Sequence, residues 1–243
     1  MNWFPARNHD SKLILESKGH TKQRVIIIPK TDFNAAKTFI FSDLYDVCLE
    51  NNYVPVILPP IDDQFISHFC LLIWNTFKEE TSIIEQFLLN QPAFRALNLK
   101  DHILNNSDAT PDIGLYDAFQ LIKISEKKVV LMSEEIDMLF DKERYSLLLA
   151  LNNALKGVSD SLLVGIASSS LRSSKKFGCQ IYKLDDMGIL TVVNHGLNMV
   201  KKVSPQLNIS LLEAIECCSH CQSFEEFISK LQLMVIYQQE VFI

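Results

Sequence analysis

Three runs of the chain are apolar at almost every residue: "VIII" at 25–28, "VVLM" at 129–132 and "LLVGIA" at 162–167. A strand with one wet face alternates apolar and polar side chains, so a strand apolar throughout has both faces covered. Sheets covered on both faces are characteristically parallel, and parallel strands need crossovers of a dozen or more residues, usually helices. The intervening segments supply them. The expected strands are 24–29, 53–58 ("YVPVIL", closed by Pro59-Pro60), 128–133, 161–167 and a short 179–184. The expected helices are 36–50, 62–78, 81–90, 115–125 and 142–156, with helical spacing throughout from 186 onward. The clearest loop is "NNSDATPDIG", 105–114. The chain therefore reads as α/β, a parallel sheet flanked by helices.

In such sheets ligands bind beyond the carboxyl ends of the strands. That directs the search to 29–38, 133–137 and 167–172. The first of these, within "RVIIIPKTDFNAAKT" (24–38), has the layout of a phosphate-binding loop: a strand, eight residues ending in Lys37-Thr38, then an amphipathic segment. The P-loop pattern asks for glycine at the first and sixth of those positions. Here Thr31 and Ala36 stand there, a degenerate Walker A. The second place, "VVLMSEEIDML", is an apolar strand running into Glu134-Glu135. In P-loop ATPases two carboxylates after such a strand hold the magnesium shell and polarise the attacking water. The ordinary alternatives are a solvated helix start for Lys37-Thr38 and an acidic pair favoured at a helix N-terminus for the glutamates.

The third place continues as "LLVGIASSSL" and then "SSKKFGCQIYKL". Here the chain resembles the AAA+ ATPases of the origin recognition complex and related replication-loading factors. Gly165-Ile166-Ala167-Ser168 is similar to their Gly-Ile-Ala-Asn stretch, whose Asn is the sensor 1 residue. Lys175-Lys176-Phe177-Gly178 is similar to their Ser-Arg-x-Gly stretch, whose arginine reaches a neighbouring subunit's nucleotide. "LLIWNTF", 71–77, resembles the helix after their second strand. The likeness covers roughly 24–200 and lies more in order and spacing than in any one motif. It implies a P-loop NTPase (AAA+-like) sheet with a small C-terminal helical lid: an N-terminal extension at 1–23, an α/β domain at 24–185 and a lid at 186–243.

The departures from the family pattern concern chemistry. Without glycines the loop does not readily turn successive backbone N–H groups onto phosphate. Ser168 is shorter than the sensor asparagine, Lys176 replaces the finger arginine (or Arg172 has taken its place), and no arginine follows Arg172 to serve as the lid's sensor. The resemblance thus implies vestigial catalytic positions at Glu134, Glu135, Ser168 and Lys176, and vestigial nucleotide positions at Thr31, Ala36, Lys37 and Thr38. No cofactor is expected, or ATP with magnesium at low affinity. One silencing branch of the family, that of the yeast silent information regulator protein, decayed in a similar way and serves as a docking surface for a silencing partner and nucleosomes. The expectation is a non-catalytic module, working in the nucleus through contacts with chromatin or replication proteins. The alternatives are a divergent origin recognition subunit that still binds ATP at a subunit interface in DNA replication, and a clamp-loader-like or transposition-accessory scaffold.

Charge bears on partners. With 29 acidic and 23 basic residues the net charge is −6, and the pairs Lys127-Lys128, Lys175-Lys176 and Lys201-Lys202 are scattered. Phosphate neutralisation supplies most non-specific nucleic-acid affinity, so DNA is expected only within a larger assembly. No apolar run reaches the ~18 residues of a membrane helix, and "MNWFPARNHDSK" lacks a secretory pattern, so a soluble intracellular chain is expected. Six cysteines without regular spacing are expected to be reduced thiols. Cys217, Cys218, His220 and Cys221 crowd into five residues of one helical segment, where four ligands do not converge, so no metal site is expected. Asp62-Asp63 reads as a helix cap, and His68 and His195 as core or surface histidines. The terminal segment "SFEEFISKLQLMVIYQQEVFI" carries Phe224, Phe227, Ile228, Leu231, Met234, Val235 and Tyr237, more than one narrow apolar stripe. Either it is buried within the lid or its surplus forms a second surface.

Overall fold

The computed structural model describes residues 7–16, 24–31, 35–90, 113–141, 144–158, 160–167, 179–184, 189–205, 208–222 and 224–240. Five strands, β1 (Val25–Pro29), β2 (Tyr53–Ile57), β3 (Lys128–Ser133), β4 (Leu162–Ala167) and β5 (Gln180–Ile181), form one sheet in the order β2-β3-β4-β1-β5. Every pairing is parallel. The register sets Val25 beside Leu163 and Pro29 beside Ala167, and on the other side of β4 sets Leu131 beside Leu163. β2 lies at the edge, which is why Pro55, with no N–H to give a second neighbour, is tolerated in mid-strand.

Both faces of the sheet are covered, as the unbroken apolar runs require. Val25, Ile27, Val129, Leu131 and Leu163 pack on one face against α4 (Phe65–Phe77), α5 (Thr81–Asn90), α6 (Leu115–Ile124) and α7 (Tyr145–Lys156). Their neighbours Ile26, Ile28, Val130, Met132, Leu162, Val164 and Ile166 pack on the opposite face. There they meet α1 (Asn8–Glu16) and a continuous helical segment built of α2 (Ala35–Thr38), a π-helical turn (Phe39–Leu44) and α3 (Tyr45–Glu50). A third core, drawn wholly from 192–231, joins α8 (Ile189–Val203), α9 (Leu211–Ser219) and α10 (Phe224–Glu240). Gly196 lets α10 cross α8 closely: a Cβ there would stand 2.5 Å from the Phe227 ring.

Two sequence expectations are corrected and one is filled in. The segment 36–50 is not a regular α-helix. Its buried residues come in pairs four apart, Phe39/Ile40, Asp43/Leu44 and Val47/Cys48. At 3.6 residues per turn such a stripe would drift by about 40° per repeat, and the wider π turn removes the drift. The 1–23 extension contains α1, whose Ile14 and Leu15 are buried in the sheet core. Helix α4 begins at Phe65, not at 62, and its N-cap is Gln64. Asp62 shapes the preceding turn, accepting the Gln64 N–H at 2.9 Å, and the exposed Asp63 faces Arg144 at 3.7 Å.

Candidate functional site

The ends of β1, β3 and β4 meet around a shallow cleft of about 240 Å³ lined by Lys30, Thr31, Ala36, Lys37, Glu134, Glu135, Asp137, Met138 and Ile166. The ladder continues one residue past β1, where the Lys30 N–H donates to the Ala167 carbonyl at 2.9 Å. β3 ends at Ser133, so the glutamates emerge beside the residues that follow β1. Gly165 completes the frame. It faces the short 3-10 turn Ile136–Phe140, and with no side chain it lets Ile136 sit directly on β4.

Two contacts tie the described residues of this cleft together. The Ala36 N–H donates to the Thr31 hydroxyl at 2.8 Å. That hydroxyl stands where the pattern wants the first glycine, and it takes a backbone donor near the start of α2. Ala36, at the second glycine position, is 1% exposed and packs its methyl into the core with Phe39 and Ile40. Its side chain is therefore held from below. Lys37 donates to Glu134 Oε1 at 2.5 Å across 97 residues of sequence.

Magnitudes separate these contacts. The side chains of Lys37 and Glu134 are 49% and 54% exposed, and an exposed pair of this kind is worth about 0–1 kcal/mol. Opening it for a ligand costs little. A backbone hydrogen bond to a charged ligand is worth about 1.5–3 kcal/mol, so lost loop donors weigh more than the ion pair.

The structure thus brings together Thr31, Ala36, Lys37, Glu134 and Glu135 from two distant stretches. Thr38 is half-buried at the end of α2 and does not line the cleft. Ser168, Arg172 and Lys176 lie outside the described residues. Lys30, Asp137, Met138 and Ile166 stood inside the stretches singled out from sequence but were given no site role there. Lys30 and Asp137 were legible in principle, because each sits within three residues of a motif already singled out. Among the described residues no group of three His, Cys, Asp or Glu side chains is placed to hold a metal ion. His68 is exposed on α4, whereas the His195 ring lies tilted against Phe224 at 5.7 Å, its Nε2 buried with no hydrogen-bond partner among the described residues.

No family model and no curated protein sequence matches the chain. Among solved structures, a DNA replication initiation factor superposes with a TM-score of 0.50 at 13% identity, over 94% of this chain and 59% of that one. PCH-2 of C. elegans gives 0.46 at 6% identity, over 94% and 67% of the two chains. Saccharomyces cerevisiae RIF2 gives 0.44 at 13%, over 95% and 89%. The first likeness is one of fold, and this chain spans about three fifths of that protein's length. The fold is α/β, a five-stranded parallel sheet flanked by helices with further helices at the C-terminal end.

Proposed function

We propose that this chain is a non-catalytic AAA+-like module that acts through protein contacts in chromatin, in replication-origin or silencing assemblies of the nucleus. The observation that carries the reading is the loop that engages itself: the Thr31 hydroxyl occupies the Ala36 N–H, and Lys37 rests on Glu134. A frame that keeps its sheet while the Ala36 N–H and the Lys37 ammonium are already engaged has its remaining use on its surfaces. The replication assignment draws support from the motifs at 165–168 and 175–178 and from the fold shared with a replication initiation factor. A net charge of −6 supports partners that are proteins, with DNA or nucleosomes met as part of a larger complex. Among the described residues no helix is long and apolar enough to cross a membrane.

A second reading has an observation in its favour. Lys37 and the two carboxylates still converge on one cleft at the strand ends, as a nucleotide site with magnesium would need. On that reading the chain is a divergent origin recognition subunit completed by a neighbour. Calorimetry with magnesium and an ATP analogue distinguishes the two, with Lys37→Ala as control. The first reading expects no dissociation constant tighter than the high micromolar range, about −5 kcal/mol. Low-micromolar binding abolished by Lys37→Ala would establish the second.

A further inference from the structure

The three thiols at the end of α9 differ in their surroundings. Cys218 is fully buried in the lid core, and burial pushes its thiol up to about 11. Cys217 and Cys221 are only half-buried. They lie one turn apart: Cys221 Sγ donates to the Cys217 carbonyl at 3.0 Å. Lys230 of α10 reaches the same corner. Its ammonium donates to the His220 carbonyl at 3.2 Å and pairs with Glu226 at 2.8 Å.

Residues one helical turn apart have Cβ atoms about 5–6 Å apart, and a disulfide wants about 3.5–4.5 Å. Cys221 lies beyond the C-cap His220, its N–H on the Cys218 carbonyl at 3.1 Å, so closing the gap takes a shift of this last turn.

We propose that Cys217 and Cys221 are a reversible dithiol–disulfide pair, a modification site on the helical lid that reacts with disulfides of the glutathione class. Cys221 gives up its proton and attacks one sulfur of glutathione disulfide. The glutathione S–S bond breaks, and one glutathione leaves as the thiol with that proton. Cys217 then attacks Cys221 Sγ, the bond from Cys221 to glutathione breaks, and the second glutathione leaves with the Cys217 proton. Two protein thiols are oxidised and one glutathione disulfide is reduced to two glutathiones. Cys221, beyond the C-cap His220, is the attacking sulfur. Burial, with the neighbouring thiol, holds Cys217 above the ordinary cysteine value, which suits the resolving role. The carbonyl end of α9 works against a thiolate at either position, so the site follows the redox poise rather than reacting fast.

The test equilibrates the full chain in glutathione buffers from reducing to oxidising, alkylates free thiols in denaturant and digests with trypsin. All three thiols fall in one peptide, 203–230. In oxidising buffer this peptide is expected to lose two hydrogens and to carry the alkyl label on Cys218 alone. Cys218→Ser keeps the bridge. Cys217→Ser and Cys221→Ser lose it, and Cys217→Ser retains glutathione on Cys221. A bridge that includes Cys218 would overturn the proposal. So would unresolved glutathione adducts, or three alkylated thiols in the most oxidising buffer from a chain with the folded protein's circular dichroism.

Discussion

A Cβ on Gly165 would stand 2.5 Å from the Cβ of Ile136. Ile136 opens the turn that follows Glu134-Glu135, so this missing methyl seats the acidic turn on β4. The nearest atom belongs to the root of a side chain, and the clash cannot be relieved by a rotamer change. Gly165→Ala should therefore cost about 1–3 kcal/mol, as overpacking of a close-packed site does. Urea denaturation should show a lower midpoint with an unchanged slope. An unshifted midpoint would mean that the turn does not rest on β4.

Leu163 lies in the central strand β4, 0% exposed, with β3 on one side and β1 on the other. Leu163→Ala should destabilise the chain by ~2–5 kcal/mol through lost transfer energy and the cavity left behind. A negligible loss in the same denaturation experiment would contradict a double-covered central strand.

The sheet was legible because burial on both faces leaves an unambiguous mark: Val129 to Met132 and Leu162 to Ile166 tolerate no polar residue. The cleft was half legible. Lys37 and Glu134-Glu135 follow strands in a recognisable order, but the lysine's pairing with Glu134 rather than Glu135 depends on side-chain reach that spacing does not encode. Gly165 was read as part of a sensor motif, although its role against Ile136 is steric. The π turn escaped because the 3.6-residue template was laid over a stripe that repeats every four. Asp43, polar in that buried stripe, was the residue that could have betrayed it.

Asp43 is 2% exposed and its Oδ1 has no hydrogen-bond partner among the described residues, while Oδ2 accepts the Arg7 N–H at 3.2 Å. Burial raises its pKa above the ordinary 3.8, against the lowering effect of the Arg7 contact, and Asp46 and Asp10 push the same way as burial. The native state thus holds the Asp43 proton to higher pH than the unfolded chain does. This contribution to stability is complete below the unfolded pKa and is lost as pH rises through the folded one. Asp43→Asn, which keeps an acceptor for Arg7 but cannot ionise, should raise the denaturation midpoint at neutral pH, and its advantage should shrink on acidification. A variant whose advantage grew with acidity would reverse the sign and place the charged form as the favoured one.

The last prediction concerns α10. Phe224, Phe227, Ile228 and Leu231 are buried against α8 and α9, and Met234 packs on them, so this part of the apolar surplus is lid core. Leu233, Ile236 and Tyr237 are 51%, 49% and 65% exposed. At about 100° per residue these three lie within one stripe, roughly opposite the buried one. A lid helix needs a single apolar face, and this second face gives the proposed scaffold a place to meet a protein. Replacing all three with Glu should leave the denaturation midpoint almost unchanged, since no buried contact is removed. The same variant, compared with the parent and with Lys37→Ala in pull-downs from nuclear extract, should lose partners that Lys37→Ala retains. If the folded triple variant kept every partner while Lys37→Ala lost them, recognition would depend on the cleft, and nucleotide control would replace docking as the working account.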